Sequence, residues 1–181
     1  MFSKEALSEI ENLISVKEKI VIITHYNPDG DAIGSSLGLK HFLRNRGVEA
    51  EIIVPNDFPK FLKWMPEAKK ITIAEYKKRK AIELIEAADV VFCLDFNTYT
   101  RIGMVGDWVS NSKAVKILID HHQQPGEFDF VYSDTNIPAT SQMVYHFIEA
   151  LGQENLVDEN AAKCLYTGIM TDTGGFRYRS T

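Results

Sequence analysis

Cysteine is scarce in this chain: there are two, Cys93 and Cys164, and no Cys-x-x-Cys pair. That excludes a disulfide framework and a thiolate metal site. Cys93 lies in an apolar run and Cys164 in a helical pattern, so both are expected as buried thiols of a reducing compartment. No apolar run approaches the ~18 residues of a membrane span. The N-terminus, MFSKEALSEIENLI, has acids where a signal peptide needs an apolar block. A cytoplasmic location with no membrane contact is therefore expected. Positive charge is not in excess either: 25 Asp/Glu face 20 Lys/Arg, for a formal net charge of −5. Proteins that coat long duplex nucleic acid usually show the opposite balance. A small phosphorylated substrate remains compatible, because a local cluster can serve it. Internal repeats, low-complexity tracts and linkers are also missing.

What is present fits one ordinary domain, or one with a small appendage: 181 residues, 45% hydrophobic. Leu7, Ile10, Leu13 and Ile14 recur at helical spacing and predict a helix over 4–16. Ile20-Val21-Ile22-Ile23-Thr24 is β-branched and does not alternate, as suits a strand buried on both faces of a parallel sheet. A Gly-containing acidic loop, His25 to Asp31, follows it. Further helices are expected over 32–45 (ended by Gly47), 81–88, 141–151 and 158–170. Further strands are expected over 50–54, near 71–73, over 90–94 and over 115–119, with an edge strand over 128–132. This alternation predicts an α/β fold with a mostly parallel sheet flanked by helices. The stretch Lys60–Lys80 holds eight Lys/Arg and two Glu, and its plain reading is a solvated helix face. The chain closes on a turn, Thr173 to Tyr178, and stops at Thr181 without a closing element, so a fragment of a longer protein is expected.

Three of the apolar strands run straight into candidate ligands. The first leads to His25 and then Asp29 and Asp31, the 90–94 strand to Asp95, and the 115–119 strand to Asp120-His121-His122. In open α/β sheets the ligand site lies beyond the carboxyl ends of the strands, so these residues would converge. Asp172, after the helix carrying Leu165 to Met170, is a further candidate. Asp29, Asp31, Asp95, Asp120 and Asp172 in one pocket could not all stay ionised without compensation. Two divalent cations are the natural compensation, and oxygen with imidazole donors suits Mn²⁺, with Mg²⁺ or Co²⁺ as substitutes. Such a pair can activate water and hold a phosphoryl oxygen. Asp29 and Asp31, two apart in an extended loop, would point to different ions. The helix after them would turn its positive N-terminal end toward phosphate. Taken singly, each residue has a bland reading: His25 as a loop cap, Asp29 and Asp31 as turn or N-cap residues, Asp95 as a loop acid, His121 and His122 as surface residues. It is their joint occurrence at strand ends that favours metal. His41 and His146 have only helical-face readings. Ser141 reads as a helix N-terminal residue rather than a phosphate contact.

With those residues in place the sequence resembles the DHH-family phosphoesterases, whose triplet is here Asp120-His121-His122. The matching blocks are Thr24 to Ser35, Leu94-Asp95, Ile119 to His122, and Thr171 to Arg177, with a helical match at Ala139 to Tyr145. The similarity is greatest to bacterial oligoribonucleases (nanoRNases) and pAp-phosphatases, an exopolyphosphatase-related branch. The resemblance implies that residues 1–181 are the metal-binding catalytic domain and that the C-terminal substrate-binding domain is absent from this chain. It implies that His25, Asp29 and Asp95 hold one Mn²⁺, and that Asp31, Asp95, His121 and Asp172 hold a second, with Asp95 shared. His122 would face the scissile phosphate, Asp120 would orient a histidine, and Arg101 would lie near substrate phosphate. The implied substrates are very short RNA oligomers, 3′-phosphoadenosine 5′-phosphate or a linearised cyclic dinucleotide, and the chain could associate as a homodimer. Two alternatives stay open: hydrolysis of inorganic polyphosphate or pyrophosphate, and a metal- and nucleotide-binding module with little turnover.

Overall fold

β-Branched and aliphatic runs make the strands, and each run is covered on both sides. The computed structural model describes residues 1–16 and 19–177. In chain order the elements are α1 (Lys4–Val16), β1 (Ile20–Thr24), α2 (Gly30–Asn45), β2 (Ala50–Val54), β3 (Thr72–Ile73), α3 (Lys78–Ala87), β4 (Val90–Leu94), α4 (Val105–Asn111), β5 (Val115–Asp120), β6 (Phe130–Ser133), α5 (Thr140–Ala150) and α6 (Glu159–Asp172). All six strands are parallel, in the order β3-β2-β1-β4-β5-β6. The expected α/β class, with a parallel sheet flanked by helices, is what the structure has.

The missing alternation in the strands has its cause here. Ile20 and Ile22 of β1, Val90 and Phe92 of β4, and Ile117 and Ile119 of β5 face a core built with α1, α2, α5 and α6. Val21, Ile23, Val91, Cys93 and Leu118, one residue out of step, face a second core with α3 and α4. Neither face meets water, so both sets are apolar. Each fully buried aliphatic side chain contributes about 1.5–3 kcal/mol relative to exposure.

Two corrections concern elements. Helix α4 went unforeseen, because seven residues containing Gly106 leave too short a periodic signal. The basic stretch Lys60–Lys80 is not one helix face. It comprises two 3-10 turns, Lys60–Leu62 and Ala68–Lys70, then β3, and becomes α-helical only at Lys78. Gly47 does end α2. With φ of +87° it occupies the left-handed region, its N–H bonds to Arg44 O at 2.8 Å, and the Val48 N–H bonds to Leu43 O at 2.9 Å. The turn Thr173 to Arg177 is present, while Tyr178 and beyond lie outside the described residues. Among the described residues no helix is long and apolar enough to cross a membrane.

Strand order and register position the site. Order 3-2-1-4-5-6 puts the crossover reversal between β1 and β4, where their following loops diverge and open a crevice. Thr24 pairs with Leu94, and Leu94 with Ile119, so the next residues (His25, Asp95 and Asp120) stand level across three adjacent strands.

Candidate metal centre

At the mouth of that crevice the chain turns sharply. Asp95 adopts a left-handed backbone (φ +65°), a region in which Asp and Asn are enriched. Its N–H still bonds to Ile119 O at 3.2 Å, which anchors the residue to β5. The buried Asp95 carboxylate then divides its oxygens: Oδ2 lies 3.5 Å from His25 Nε2, and Oδ1 lies 3.5 Å from His121 Nε2.

Both imidazoles are oriented by the backbone. His25 Nδ1–H donates to Tyr26 O at 2.8 Å, and His121 Nδ1–H donates to Ile137 O at 3.3 Å. A carbonyl partner fixes the Nδ1 proton, so Nε2 is the nitrogen turned to the carboxylates and the one that a cation would take in place of a proton, the arrangement typical of metal-binding histidines. His25 Nε2 is also 3.9 Å from Asp29 Oδ1, and His121 Nε2 is 3.7 Å from Asp172 Oδ2.

Asp29 and Asp31 depart from the extended loop expected for them. Asp29 is the N-cap of α2, its Oδ1 accepting from Asp31 N at 2.9 Å and Ala32 N at 3.0 Å. Asp31 already lies in the first helical turn. The N-terminus of α2 is thus satisfied by its own cap rather than open to phosphate. The two carboxylates still serve different groups, because a helical turn separates them as effectively as a strand would.

Residues that sequence reading underrated hold the acids in place. Thr140 N and Ser141 N, at the start of α5, donate to the two oxygens of Asp31 at 2.6 and 2.9 Å. Thr140 Oγ1–H donates to Asp95 Oδ1 at 2.9 Å. Helix α5 therefore presents its positive end to one carboxylate and a hydroxyl to the other. Ser141 is a helix N-terminal residue, as read, with its hydroxyl on Asp31 O at 3.4 Å. The signal available in sequence was Thr-Ser at a helix start; its partners Asp95 and Asp31 lie 45 and about 110 residues away. We expect Thr140→Val, which keeps the branched shape, to weaken divalent-cation affinity roughly tenfold, measured by calorimetric titration. Unaltered affinity would mean the hydroxyl does not orient Asp95.

The ionisation pattern shows how much negative charge converges. Burial opposes a charged His25, but Asp29 and Asp95 outweigh it and push its pKa up to about 10. Burial likewise opposes a charged His121, and Asp95 chiefly raises it to about 9. Asp95 is driven upward by burial, yet His121 and His25 hold it well below the usual carboxylate range. Burial and the Asp95 charge push Asp31 far up, and burial, with Asp95 adding to it, pushes Asp172 up. The cluster draws in positive charge. Two groups meet the geometry for a cation, with candidate donor atoms all within 4.8 Å: His25–Asp29–Asp95 and Asp31–His121–Asp172. Asp95, His121 and His122 form a third such group. In it, however, His122 Nδ1–H is engaged by the buried Asp120 Oδ1 at 2.7 Å. The donor set fits hard or borderline divalent cations and has no thiolate.

Arg101 stands apart. Its side chain is exposed and makes no hydrogen bond or ion pair among the described residues, while its carbonyl accepts from Tyr26 N at 2.8 Å and ties its turn to the His25 loop. His41 and His146 lie outside the cluster, bonded to Pro66 O at 3.3 Å and Tyr132 OH at 3.5 Å.

Comparison with known proteins gives the family. A bifunctional oligoribonuclease and PAP phosphatase NrnA of Thermus thermophilus is 37% identical over 172 residues, 94% of this chain and 48% of the relative. The Bacillus subtilis protein of the same description is 30% identical over 179 residues, 96% of this chain and 52% of that one. The crystal structure of an exopolyphosphatase-related protein from Bacteroides fragilis superposes with a TM-score of 0.96 at 43% identity, over 98% of this chain and 53% of that chain. The chain thus spans about half the length of these relatives. Residues 19–169 match the DHH family, N-terminal domain, and the chain belongs to that family.

Proposed function

We propose that residues 1–181 form the catalytic domain of a cytoplasmic, Mn²⁺-dependent phosphoesterase acting on short oligoribonucleotides, 3′-phosphoadenosine 5′-phosphate, or both. One observation carries the reading: the two oxygens of Asp95 face two different imidazoles, each of which heads its own acid cluster. A carboxylate so placed suits a bridge between two cations. His25, Asp29 and Asp95 would hold one; Asp31, Asp95, His121 and Asp172 would hold the other. Bound there, the pair would supply activation of water and neutralisation of phosphate charge. The protein's own groups do the rest. Thr140 and Ser141 keep Asp31 and Asp95 aimed. Asp120 fixes the His122 proton on Nδ1, so Nε2 is the nitrogen free to meet a scissile phosphate or its leaving oxygen. Arg101, whose carbonyl ties its turn to the His25 loop, would contact substrate phosphate. The substrate class follows from the names of the relatives and from the net negative charge, which disfavours long duplexes.

The test is direct. The chain, loaded with Mn²⁺, should release phosphate from 3′-phosphoadenosine 5′-phosphate or mononucleotides from a triribonucleotide, and EDTA should stop it. Asp120→Asn should slow turnover about 10–100-fold while Mn²⁺ content stays the same. A loaded protein inert on both substrates would sink the proposal. The exopolyphosphatase-related description of the Bacteroides fragilis structure favours a second reading, inorganic polyphosphate hydrolysis at the same donors. Comparing phosphate release from polyphosphate and from 3′-phosphoadenosine 5′-phosphate separates them.

A further inference from the structure

The metal centre makes no use of the crossover between β2 and α3. Residues 57–80 carry eight Lys/Arg against three Asp/Glu, in a chain whose net charge is −5. Within this stretch Leu62, Met65, Ala68 and Ile71 recur every third residue and are buried against the core. Phe61 and Trp64, also three apart, stand in solvent at 68% and 60% exposure. In the first 3-10 turn, Lys60–Leu62, where the Lys63 N–H returns to Lys60 O, side chains three apart eclipse, which sets Lys63 over Lys60 and Trp64 beside Phe61. Lys69 lies in the second such turn, Ala68–Lys70, beyond Glu67 in the left-handed region (φ +66°). A pair of exposed aromatic rings is thereby laid beside lysines.

These lysines are only partly neutralised. Lys63 pairs with Asp57 at 2.8 Å and Lys70 with Glu67 at 2.9 Å. Lys60 and Lys69 make no ion pair among the described residues. Glu67 is itself occupied by Arg44 at 2.7 Å, so it does not cancel these lysines.

The segment begins at the metal centre. Asn56 Oδ1 accepts from Asn27 N at 2.7 Å, and Asn56 Nδ2 donates to Asn27 Oδ1 at 2.8 Å, which joins the β2 exit to the His25–Asp29 loop. An open hollow of about 330 Å³ lies between them, lined by Asn27, Pro28, Asp29, Asp57 and Pro59. A second, of about 410 Å³, is lined by Lys63, Trp64, Pro66, Glu67, Lys69 and Lys70. From there the segment follows α2 down to His41 and Arg44, which bond to Pro66 O and Glu67. At 1.5 Å rise per residue that is roughly 20 Å from the start of α2, or about six nucleotides at a stacked spacing of ~3.4 Å.

We propose that residues 57–70 are a track for single-stranded RNA leading away from the metal centre, with bases stacked on Phe61 and Trp64 and phosphates passing Lys60, Lys63 and Lys69. Stacking faces beside a basic stripe are how proteins hold single strands without reading sequence. An acidic peptide would satisfy the lysines but leave the aromatic faces without flat partners. The assignment of RNA as the strand rests on the phosphoesterase reading above; the binding itself can be measured apart from catalysis.

The experiment is an anisotropy titration of a fluorescein-labelled hexaribonucleotide with the chain, in EDTA so that no strand is cut. Binding should quench indole emission in the wild type and not in Trp64→Ala. Phe61→Ala and Trp64→Ala should each weaken affinity about tenfold, and Trp64→Phe should recover most of it. Lys60→Ala and Lys69→Ala should each reduce the slope of log affinity against log salt by about 0.7. Equal affinity for wild type and Trp64→Ala overturns the track, and so does a wild type that binds no RNA at low salt, even if it binds anionic vesicles or an acidic protein. A protein that binds RNA through Trp64 but hydrolyses no phosphoester would overturn the phosphoesterase reading and leave the track standing. Hydrolysis without Trp64-dependent binding would do the reverse.

Discussion

Asp95→Asn protein is expected to fold as the wild type does and to hold almost no Mn²⁺. Asn tolerates the left-handed backbone that Asp95 adopts, so the turn after β4 survives. What goes is the anion. One amide cannot offer negative charge to His25 and His121 together, and its NH₂ would turn a donor toward one of the two Nε2 atoms. Metal analysis after gel filtration should fall from about two ions per chain to well below one. Hydrolysis should drop by roughly a thousandfold, about 4 kcal/mol of transition-state stabilisation. Asp95→Ala should lose as much activity and also some stability, because Ala is strained by ~1 kcal/mol at such a φ. Mn²⁺ content equal to that of the wild type in both variants would remove Asp95 from the ligand set.

The second large effect lies behind the acids, not among them. Helices α2 and α6 approach so closely that a Cβ on Gly34 would sit 2.6 Å from Cys164 O and 2.9 Å from Gly168 Cα. Both obstacles are backbone and cannot rotate away. Gly168 is crowded by side chains instead: a Cβ there would overlap Ser141 Oγ and come within 2.8 Å of Asp31 Oδ1. Gly34→Ala gains about 1 kcal/mol of helix propensity, but overpacking against backbone should cost about 3 kcal/mol, a net loss of about 2 kcal/mol. For a chain of this size that lowers Tm by roughly 4–8 °C. Because α6 carries Asp172 and abuts the Asp31–Ser141 contact, cation affinity should fall in the same variant. A Tm within a degree of wild type would show that the helices separate without cost.

Much of this was legible in the sequence, for identifiable reasons. Strands buried on both faces leave unbroken apolar runs, and the residue following each run could be named: His25 after β1, Asp95 after β4, Asp120 at the end of β5. Parallel topology then brought them together, since all such runs end on the same edge. Local conformation was less legible. Asp29 and Asp31 read as loop acids because the α-helix begins at Gly30, where a glycine gives a weak helical signal. The Lys60–Lys80 stretch reads as a helix face because its charge density is conspicuous, whereas the three-residue repeat of Leu62, Met65, Ala68 and Ile71 matches neither the α-helical nor the strand period. Thr140 was invisible as a support for Asp31 and Asp95, because its contacts are made by a backbone N–H and a hydroxyl to residues 109 and 45 positions away.

The level row formed by His25, Asp95 and Asp120 sets a tolerance. Each of the three stands one residue beyond a paired rung: Thr24 against Leu94, and Leu94 against Ile119. A slip of one residue between β1 and β4 would carry Asp95 about 3.3 Å along the strand and turn it to the opposite face of the sheet. That step nearly equals the 3.5 Å that now separates Asp95 from either imidazole. The hydrogen-bond ladder thus acts as a ruler graduated in single residues, and cation affinity reads whether the strands are aligned. A misregistered sheet could bury nearly as much hydrocarbon and still be unable to gather its donors.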